Sequence, residues 1–310
     1  MDTRVRTNHT VVAFAPARAP VADVAVVMVV YRTGPVLFDA VDRVLKAVRA
    51  GELVLVDNGS SPEDAARLVE IAAREPRVRL LQGHGNVGFA RGANLGASSA
   101  TARWLVFLNP DALLEDGCLD ALVAAAANRP APCVVGARVL NPDRSEQRGA
   151  RRGDVTPVTT LLTLSRLTAV FGFLRRFEIH HEDQPEPDGP AEVPTISGAC
   201  FCMSRDDFHA LGGFDGRYFL HVEDVDLCWR ARQAGGTVWF QPQAEVVHLG
   251  HTSLAEPVFV EFHKGRGLAR YFRKRADNPA RLALAWALGP LIVMAAVLRP
   301  ALRKITGKAG

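Results

Sequence analysis

The sequence predicts an α/β protein built on a doubly wound, mostly parallel sheet flanked by helices. Apolar segments of strand length alternate with segments of helical periodicity through about the first 140 residues. The first segment, VADVAVVMVVY over 21–31, is a continuous valine-rich run, as expected of a strand buried on both faces. Polar residues follow several strands, at the edge of a parallel sheet where ligands bind.

The other elements follow the first strand in regular order. Residues 36–49 have apolar side chains at helical spacing, and Gly51 ends this helix before a second strand over 52–58. Ser61 is suited to cap the next helix, which extends to about Glu75. The further predicted elements are a strand over 78–82, a glycine-rich loop and helix over 83–100, a strand over 103–109, an alanine-rich helix over 116–128 and a strand over 133–140.

After residue 141 the pattern is less regular. Residues 142–194 include the acidic, proline-rich stretch EIHHEDQPEPDGPAEVPT, which is typical of a loop or flap. Regular patterns return with ISGACFCMSR, with the acidic segment HVEDVDLCWRARQAG and with the strand-like VWFQPQAEVVH. We therefore expect a flexible loop over 142–194 between two ordered halves of one domain.

Composition places the chain among globular proteins. It has 310 residues, 48% of them hydrophobic, and five cysteines without a Cys-x-x-Cys motif. An odd number of scattered cysteines favours a reduced compartment, and the first 20 residues contain no apolar run long enough for a signal peptide. These features predict a cytoplasmic protein with a loose lead-in over 1–21.

Charge is concentrated at the C-terminus. The net charge is +4, but residues 261–310 contain eleven Lys and Arg against two acids, which leaves about −5 for the rest of the chain. A basic tail of this kind suits an anionic partner such as lipid. We expect no nucleic-acid partner, because the tail lacks the interleaved aromatic residues of single-strand binding.

The tail also contains an uncharged segment, LALAWALGPLIVMAAVL over 282–298, between Arg281 and Arg299. A helix of this length spans about 26 Å, against about 30 Å for a bilayer core. Three interpretations stay open: a membrane-interface or re-entrant segment, a packed helix or oligomer contact, and a true membrane span. The preceding basic residues would meet lipid phosphates in the first of these.

Two segments of the first half are candidates for nucleotide binding. Asp57 ends a buried strand and is either the start of a turn or a carboxylate that binds a base or ribose. The glycine-rich GNVGFARGANLGAS over 85–98 meets neither the dinucleotide fingerprint nor the phosphate-loop motif. Arg91 in this segment could nevertheless contact a diphosphate.

Two further segments are candidates for metal binding and acid–base chemistry. The strand ending in LNPD places Asn109 and Asp111 where a metal site with half the usual charge could form. His248, after another strand, is either structural or a ligand. Three acids, Glu223, Asp224 and Asp226, begin the segment EDVDLCWRARQ. They either favour a helix dipole or, because crowding raises a pKa, supply a general base.

These segments together resemble the family 2 glycosyltransferases of the GT-A fold, most closely the bacterial rhamnosyltransferase-like branch. The resemblance covers about residues 22–275. The first strand ends in Tyr31-Arg32 where the family often has Tyr-Asn, and Asn109 stands where many members have Asp. The motifs that carry it are VDNGSS, NVGFARGANLG, FLNPD, SGACFCMSR, LGGFDGRYFLHVEDVDLCWRARQAG and VVHLGHTS.

The resemblance implies an inverting glycosyltransferase that moves a sugar, with rhamnose as a candidate, from a dTDP- or UDP-sugar to a lipid-linked or polysaccharide acceptor of the cell envelope. It implies that Asp224 is the general base and that Asp111 and His248 bind Mg²⁺ or Mn²⁺. Gly198, Glu223 and Asp226 would lie on the acceptor side. The donor-binding residues would be Tyr31, Asp57, Asn86, Gly88, Arg91, Asn109 and Asp111.

The strand–helix alternation and the basic tail, together with this resemblance, divide the chain. A catalytic domain over 22–255 would consist of a nucleotide-sugar half over 22–141, the loop over 142–194 and an acceptor half over 195–255. Residues 256–310 would form a basic helical tail associated with the inner face of the plasma membrane.

The chemistry of the leaving group explains how Asn109 would suffice. The diphosphate brings its own negative charge to a metal, so Asp111 and a neutral amide can complete a shared site. Such a site would bind metal well only with the donor present.

Two other functions stay open at this stage. A sugar-phosphate nucleotidyltransferase would need a glycine-rich, basic phosphate loop directly after the first strand, where YRTGPV stands. A non-catalytic nucleotide-sugar-binding protein would not need Asp224.

Overall fold

A computed structural model describes residues 22–165, 167–250, 252 and 256–306, so the lead-in expected over 1–21 lies outside the described residues. Strands and helices alternate through the first half as predicted. The elements are β1 Val24–Val30, α1 Val36–Lys46, β2 Ala50–Asp57, α2 Pro62–Arg74, β3 Val78–Leu81, α3 Phe89–Ser99, β4 Trp104–Leu108, β5 Ala112–Leu114, α4 Cys118–Ala127 and β6 Cys133–Leu140.

The segment 142–194, expected to be a loop, contains short elements, and the second half continues with longer ones. These are β7 Arg151–Arg152, α5 Pro157–Leu164, α6 Leu167–Val170, a 3₁₀-helix over Gly172–Phe177, β8 Ala191–Glu192, β9 Thr195–Ile196, β10 Cys200–Ser204, α7 Arg205–Ala210, α8 Glu223–Gln233, β11 Thr237–His248, α9 Pro257–Arg275 and α10 Pro279–Thr306.

Among the described residues, nine strands form one sheet in the order β3-β2-β1-β4-β10-β6-β11-β5, with β8 pairing to β11. The pairs β3-β2, β2-β1, β1-β4 and β6-β11 are parallel. β10 enters antiparallel between β4 and β6. Val30 is in register with Asp57, so the carboxyl ends of β1 and β2 lie side by side.

The sheet is buried on both faces, which explains its valine-rich strands. All seven residues of β1 are buried. Alternate residues of β1, such as Val26 and Met28, join one apolar cluster with α1 and α4, while Val27 and Val29 join a second cluster with α3 and α8. The five cysteines all lie within the described residues as buried free thiols.

Helices α9 and α10 form an antiparallel pair beside the second apolar cluster. A Cβ on Gly265 would lie 2.9 Å from the Cα of Val293, so the two helices approach closely there. Farther along, the guanidinium of Arg273 lies 4.5 Å from the ring centroid of Trp286. Within the described part of the chain, one helical segment, Pro279–Leu298, is long and apolar enough to cross a membrane, and 22% of its most apolar window is buried.

Candidate active site

The ends of β4 and β9, the start of α8 and the segment 148–180 surround a cavity of about 860 Å³. The cavity lies at the carboxyl end of β4, where ligands bind in open α/β sheets. Five residues predicted from the sequence line it: Asn109, Gly198, Glu223, Asp224 and His248.

Asp224 is held at the start of α8 by three hydrogen-bond donors. Its Oδ2 accepts from the Gly198 amide at 3.0 Å and from the Arg152 guanidinium, and its Oδ1 accepts from the Val225 amide at 2.8 Å. Burial raises the pKa of Asp224, but the charge and hydrogen bond of Arg152 outweigh it and hold the pKa below the ordinary value. The carboxylate is therefore fixed, ionised and exposed to the cavity.

Two backbone features position Asp224 in the cavity: a glycine beside its side chain and a left-handed turn before α8. A Cβ on Gly198 would lie 3.2 Å from the Asp224 Cβ, so a larger residue there would press against the Asp224 side chain. His221 and Val222 both have positive φ, 64° and 74°, which is costly for a β-branched residue. This left-handed turn brings the chain into α8 with its first acids toward the cavity.

Glu223 also lines the cavity, but its chemistry differs from that of Asp224. It is 6% exposed, and among the described residues no partner faces its Oε2. Burial, followed by the neighbouring Asp224 charge, raises the pKa of Glu223 to about 8. Glu223 therefore keeps its proton to a higher pH than an ordinary glutamate, whereas Asp224 loses its proton more readily than usual.

Asp226 lies elsewhere than the acceptor side expected from the sequence. Its side chain is fully buried between Lys274, whose Nζ is 2.7 Å from Oδ1, and Arg230, whose Nε is 2.7 Å from Oδ2. The Tyr218 hydroxyl donates to the same carboxylate at 3.2 Å. Asp226 does not line the cavity, and its ion pair with Lys274 connects α8 to α9.

Asn109, Asp111 and His248 come together as predicted, although they are far apart in sequence. His248 Nε2 is 3.1 Å from Asp111 Oδ1 and 3.2 Å from Asn109 Nδ2. Thr252 donates to the other Asp111 oxygen at 2.9 Å. Burial raises the pKa of Asp111, but the bonds with His248 and Thr252 outweigh it and lower the pKa below its usual value.

Gln147, which sequence reasoning missed, fixes the tautomer of His248. Its Nε2 donates to the carbonyl of His248 at 3.1 Å and to Asn141 Oδ1 at 3.2 Å. Its Oε1 therefore faces His248 Nδ1, at 2.6 Å, and Nδ1 carries the proton. His248 Nε2 then faces Asp111 Oδ1, and a cation between them would have both atoms as ligands.

The donor set fits a divalent cation with two protein ligands. Across the described ranges, no group of three or more His, Cys, Asp and Glu side chains could hold a metal. A cation between Asp111 and His248 would thus need oxygen ligands from a bound diphosphate. Mg²⁺ and Mn²⁺ accept such oxygen-rich sets, and an imidazole favours Mn²⁺.

The other predicted donor residues do not line the cavity. Asp57 accepts from the amides of Gly59 and Ser60 at 3.0 and 2.8 Å, so it does cap a turn, and its Oδ2 accepts from Gln82 at 3.1 Å. Tyr31 packs next to Gly59, 3.4 Å from where a Cβ would be. Their contact with a nucleotide stays a prediction.

The glycine-rich loop packs against the chain that leads into α8. Gly88 has φ 81°, and a Cβ there would lie 2.6 Å from the carbonyl oxygen of Phe219. Asn86 accepts from the Gly88 amide at 3.0 Å, which closes the turn. Arg91 is exposed and donates to the carbonyl of Gly216 at 2.9 Å, and it does not line the cavity. In this structure these residues position the loop.

The segment 148–180 supplies cavity residues that sequence reasoning did not single out. Arg152 is the most informative of them, because it contacts Asp224. In the sequence, the doublet Arg151-Arg152 could have indicated a basic site, but a doublet does not indicate which arginine faces the cavity. The others include Arg148, Thr160, Thr168, Glu178 and His180. Lys264 of α9, a basic residue of the predicted tail, also lines the cavity.

Comparisons of the sequence with known proteins identify its family. The family model "Glycosyl transferase family 2" matches residues 25–212. An N-acetylglucosaminyl-diphospho-decaprenol L-rhamnosyltransferase of Mycobacterium tuberculosis is 31% identical over 285 residues, covering 85% of this chain and 88% of the relative. Polypeptide N-acetylgalactosaminyltransferase 11 of Xenopus tropicalis is 26% identical, covering 76% of this chain and 37% of the relative.

Solved structures show the same fold. GalNAc-T7 with UDP, GalNAc and Mn²⁺ aligns with a TM-score of 0.59 at 18% identity, over 81% of this chain but only 47% of that one. The mannosyltransferase PcManGT of Pyrobaculum calidifontis, with GDP-Man and Mn²⁺, aligns with a TM-score of 0.56 at 17% identity, over 94% and 79%. The fold is GT-A, and the nucleotidyltransferase and non-catalytic alternatives lose their support. The chain belongs to the family 2 glycosyltransferases.

Proposed function

We propose that the protein is an inverting glycosyltransferase that moves L-rhamnose from a dTDP- or UDP-sugar to a sugar–diphosphate–lipid acceptor in cell-envelope glycan synthesis. The observation that carries the proposal is the 31% identity with the mycobacterial rhamnosyltransferase, which extends over most of both chains. The cavity is consistent with this function, because it combines the Asp224 carboxylate with several hydrogen-bonding groups.

Asp224 is the proposed proton acceptor. Its pKa is lowered by Arg152, so it is a weak base, but the acceptor hydroxyl becomes acidic as its oxygen bonds to the anomeric carbon. Attack from the side of Asp224, opposite the leaving diphosphate, inverts the configuration. Arg152 and the Gly198 amide hold the carboxylate in place for this transfer.

Asp111 and His248 are the proposed protein ligands of Mg²⁺ or Mn²⁺, with Gln147 orienting the imidazole. When bound, the cation would neutralise charge that develops on the departing diphosphate. The amide of Asn109, whose Nδ2 is 3.2 Å from His248 Nε2, would donate a hydrogen bond to the diphosphate beside the cation.

We further propose that the enzyme works at the cytoplasmic face of the plasma membrane, held there by α10. Several large apolar side chains of α10 are exposed, including Trp286 at 61%. Of the three interpretations of this segment, the pairing of α10 with α9 favours a helix that lies on the membrane while packed against the catalytic domain.

The proposal is tested by incubating the purified protein and Mn²⁺ with a panel of dTDP- and UDP-sugars and a short-chain polyprenyl-diphosphate-linked GlcNAc. Mass spectrometry should show addition of one deoxyhexose from the dTDP- or UDP-deoxyhexose. Transfer of a different sugar only, or transfer to acceptors without a diphosphate lipid equally well, would contradict it.

A further inference from the structure

Two neighbouring parts of the surface expose large apolar side chains. One is α10, whose exposed residues are Leu282, Leu284, Trp286, Leu291, Met294 and Leu298. The other lies within residues 158–177, which we call the cavity wall. Its exposed residues are Val158, Leu167, Val170, Phe171 and Phe173. α5 contacts α10, and α6 and the 3₁₀-helix pack on α5, so the two parts adjoin.

The cavity wall has polar residues on its cavity side and apolar residues on its outer side. Thr160 and Thr168 are 4% and 3% exposed and line the cavity, whereas Val170 and Phe173 are each 71% exposed. Single exposed apolar residues are ordinary, but five within sixteen residues form a patch that needs a partner. The cavity wall therefore lies between the cavity and the partner that would cover the exposed apolar patch.

The charge of the cavity wall indicates which partner covers it. Arg175 and Arg176 come two and three residues after Phe173, and within the described ranges neither forms an ion pair. Aromatic side chains beside arginines are typical of segments that lie at the interface of an anionic bilayer. A second copy of the chain would bring like charges together, so it is the less favourable occupant.

Two polar residues of the cavity also indicate a ligand: Thr160 in the cavity wall and His180 three residues after it. In the part of the chain that the structure describes, Thr160 Oγ1 and His180 Nδ1 are buried without hydrogen-bond partners. Buried polar groups are rarely left unpaired. Both lie in the cavity with Arg148 and Lys264, so an acceptor head group with hydroxyls and phosphates would satisfy them.

We propose that the cavity wall docks, together with α10, on an anionic lipid bilayer, so that a lipid-linked acceptor reaches the cavity from the membrane across this segment. The nature of the acceptor rests on the proposed function, whereas docking to lipid does not. The cavity wall is thus a second membrane contact, separate in sequence from the C-terminal tail.

The test measures flotation of the full-length protein with vesicles of phosphatidylglycerol and phosphatidylcholine, and with phosphatidylcholine alone. One double variant carries Phe171→Ser and Phe173→Ser, and a second double variant carries Arg175→Ser and Arg176→Ser. The matched control is Val48→Ser with Val69→Ser, which removes two apolar residues, 67% and 50% exposed, from other parts of the surface.

The arginine pair should weaken binding to phosphatidylglycerol vesicles by about tenfold or more and change binding to phosphatidylcholine little. The phenylalanine double variant should weaken binding to both kinds of vesicle, and the control should bind both kinds like the wild type. Unchanged binding in both variants, with thermal unfolding like wild type, would overturn the proposal. So would unchanged vesicle binding together with loss of a dimer seen by light scattering, because the wall would then be a self-association surface.

Activity separates this proposal from the proposed function. Both wall variants should lose transfer to a long-chain acceptor in vesicles while keeping transfer to a short-chain, water-soluble one. If the wild type uses neither acceptor, the proposed function fails, and the flotation result still decides the docking surface. Equal loss with both acceptors would show that the wall acts only through the cavity, and would contradict lateral entry.

Discussion

Arg152 donates a hydrogen bond to Oδ2 of Asp224, which lies 72 residues later in the chain and begins α8. Arg152 comes from β7, in a segment that joins the two halves of the sheet. The Arg152 side chain also donates to the carbonyl of Ile196 at 2.5 Å, which fixes the direction of the guanidinium. The ion pair thus connects the segment 148–180 to the carboxylate proposed to accept the proton.

Replacing Arg152 should change the pH dependence of the reaction. Arg152 lowers the pKa of Asp224, so Arg152→Gln should raise that pKa and move the acidic limb of the kcat/KM profile to higher pH. At neutral pH, kcat/KM should fall about tenfold or more, because the carboxylate also loses its fixed position. Arg74→Gln, at an exposed surface pair, is the control. A lower rate with an unshifted profile would mean that Arg152 acts on substrate binding alone.

Glu223 should make stability depend on pH. An unfolded glutamate loses its proton near pH 4.3, whereas burial raises the pKa of Glu223 to about 8 in the fold. Between these values the folded state binds more protons, so this residue lowers the free energy of unfolding as the pH rises. Glu223→Gln mimics the neutral form and lacks this dependence.

The measurement for Glu223 is the difference in Tm between Glu223→Gln and wild type from pH 5 to pH 8.5. The difference should shift in favour of the variant as the pH rises. Glu70→Gln, at an exposed i,i+4 pair, should show no such trend. A difference that is constant over this range would contradict a protonated Glu223.

The choice between Asp224 and Asp226 shows the limit of what sequence could predict. The sequence places both acids in the first turn of α8, but the rotation of the helix decides which one faces the cavity. That rotation depends on Arg230 within the helix and on Lys274, which is 48 residues away on α9. Sequence pattern does not specify such distant partners, so only the structure separates the two roles.

The regular part of the fold was predictable for physical reasons. Buried strands such as β1 and β2 are unbroken apolar runs, and α2 has a Ser61 cap, whose side chain accepts from the Asp64 amide at 3.1 Å. β5 was missed because three residues are too few to show a period. The short helices of the cavity wall were missed for the same reason, and they carry part of the cavity lining.

Asp226 should be important for stability rather than for transfer. Asp226→Asn leaves the half-buried Lys274 and Arg230 without the fully buried carboxylate they share, so the free energy of unfolding should fall by about 3–5 kcal/mol. Chemical denaturation measures this loss, with the exposed Asp206→Asn as control. A stable Asp226→Asn variant with kcat reduced a hundredfold would restore Asp226 to the acceptor side.

Metal and donor should bind cooperatively at Asp111. With two protein ligands, Mn²⁺ affinity should be weak alone and stronger with a nucleoside diphosphate, and by linkage the diphosphate gains the same factor. Asn109→Asp should raise Mn²⁺ affinity in the donor-free protein and reduce the coupling, whereas Asp111→Ala should abolish it. Titration calorimetry with and without dTDP or UDP measures both. Equal Mn²⁺ affinity in the two conditions would argue against a site shared with the diphosphate.

The central claim is that Asp224 accepts the proton of the acceptor hydroxyl, and the most direct measurement compares kcat and nucleotide-sugar Kd for wild type and Asp224→Asn. The amide keeps the size of the side chain, and its oxygen can still accept from Arg152 and Gly198, although the bond from the Val225 amide is lost. The amide cannot take a proton. We expect kcat to fall by roughly 10²–10⁴ while the donor Kd changes less than about threefold. Turnover equal to wild type with an intact fold would contradict the account.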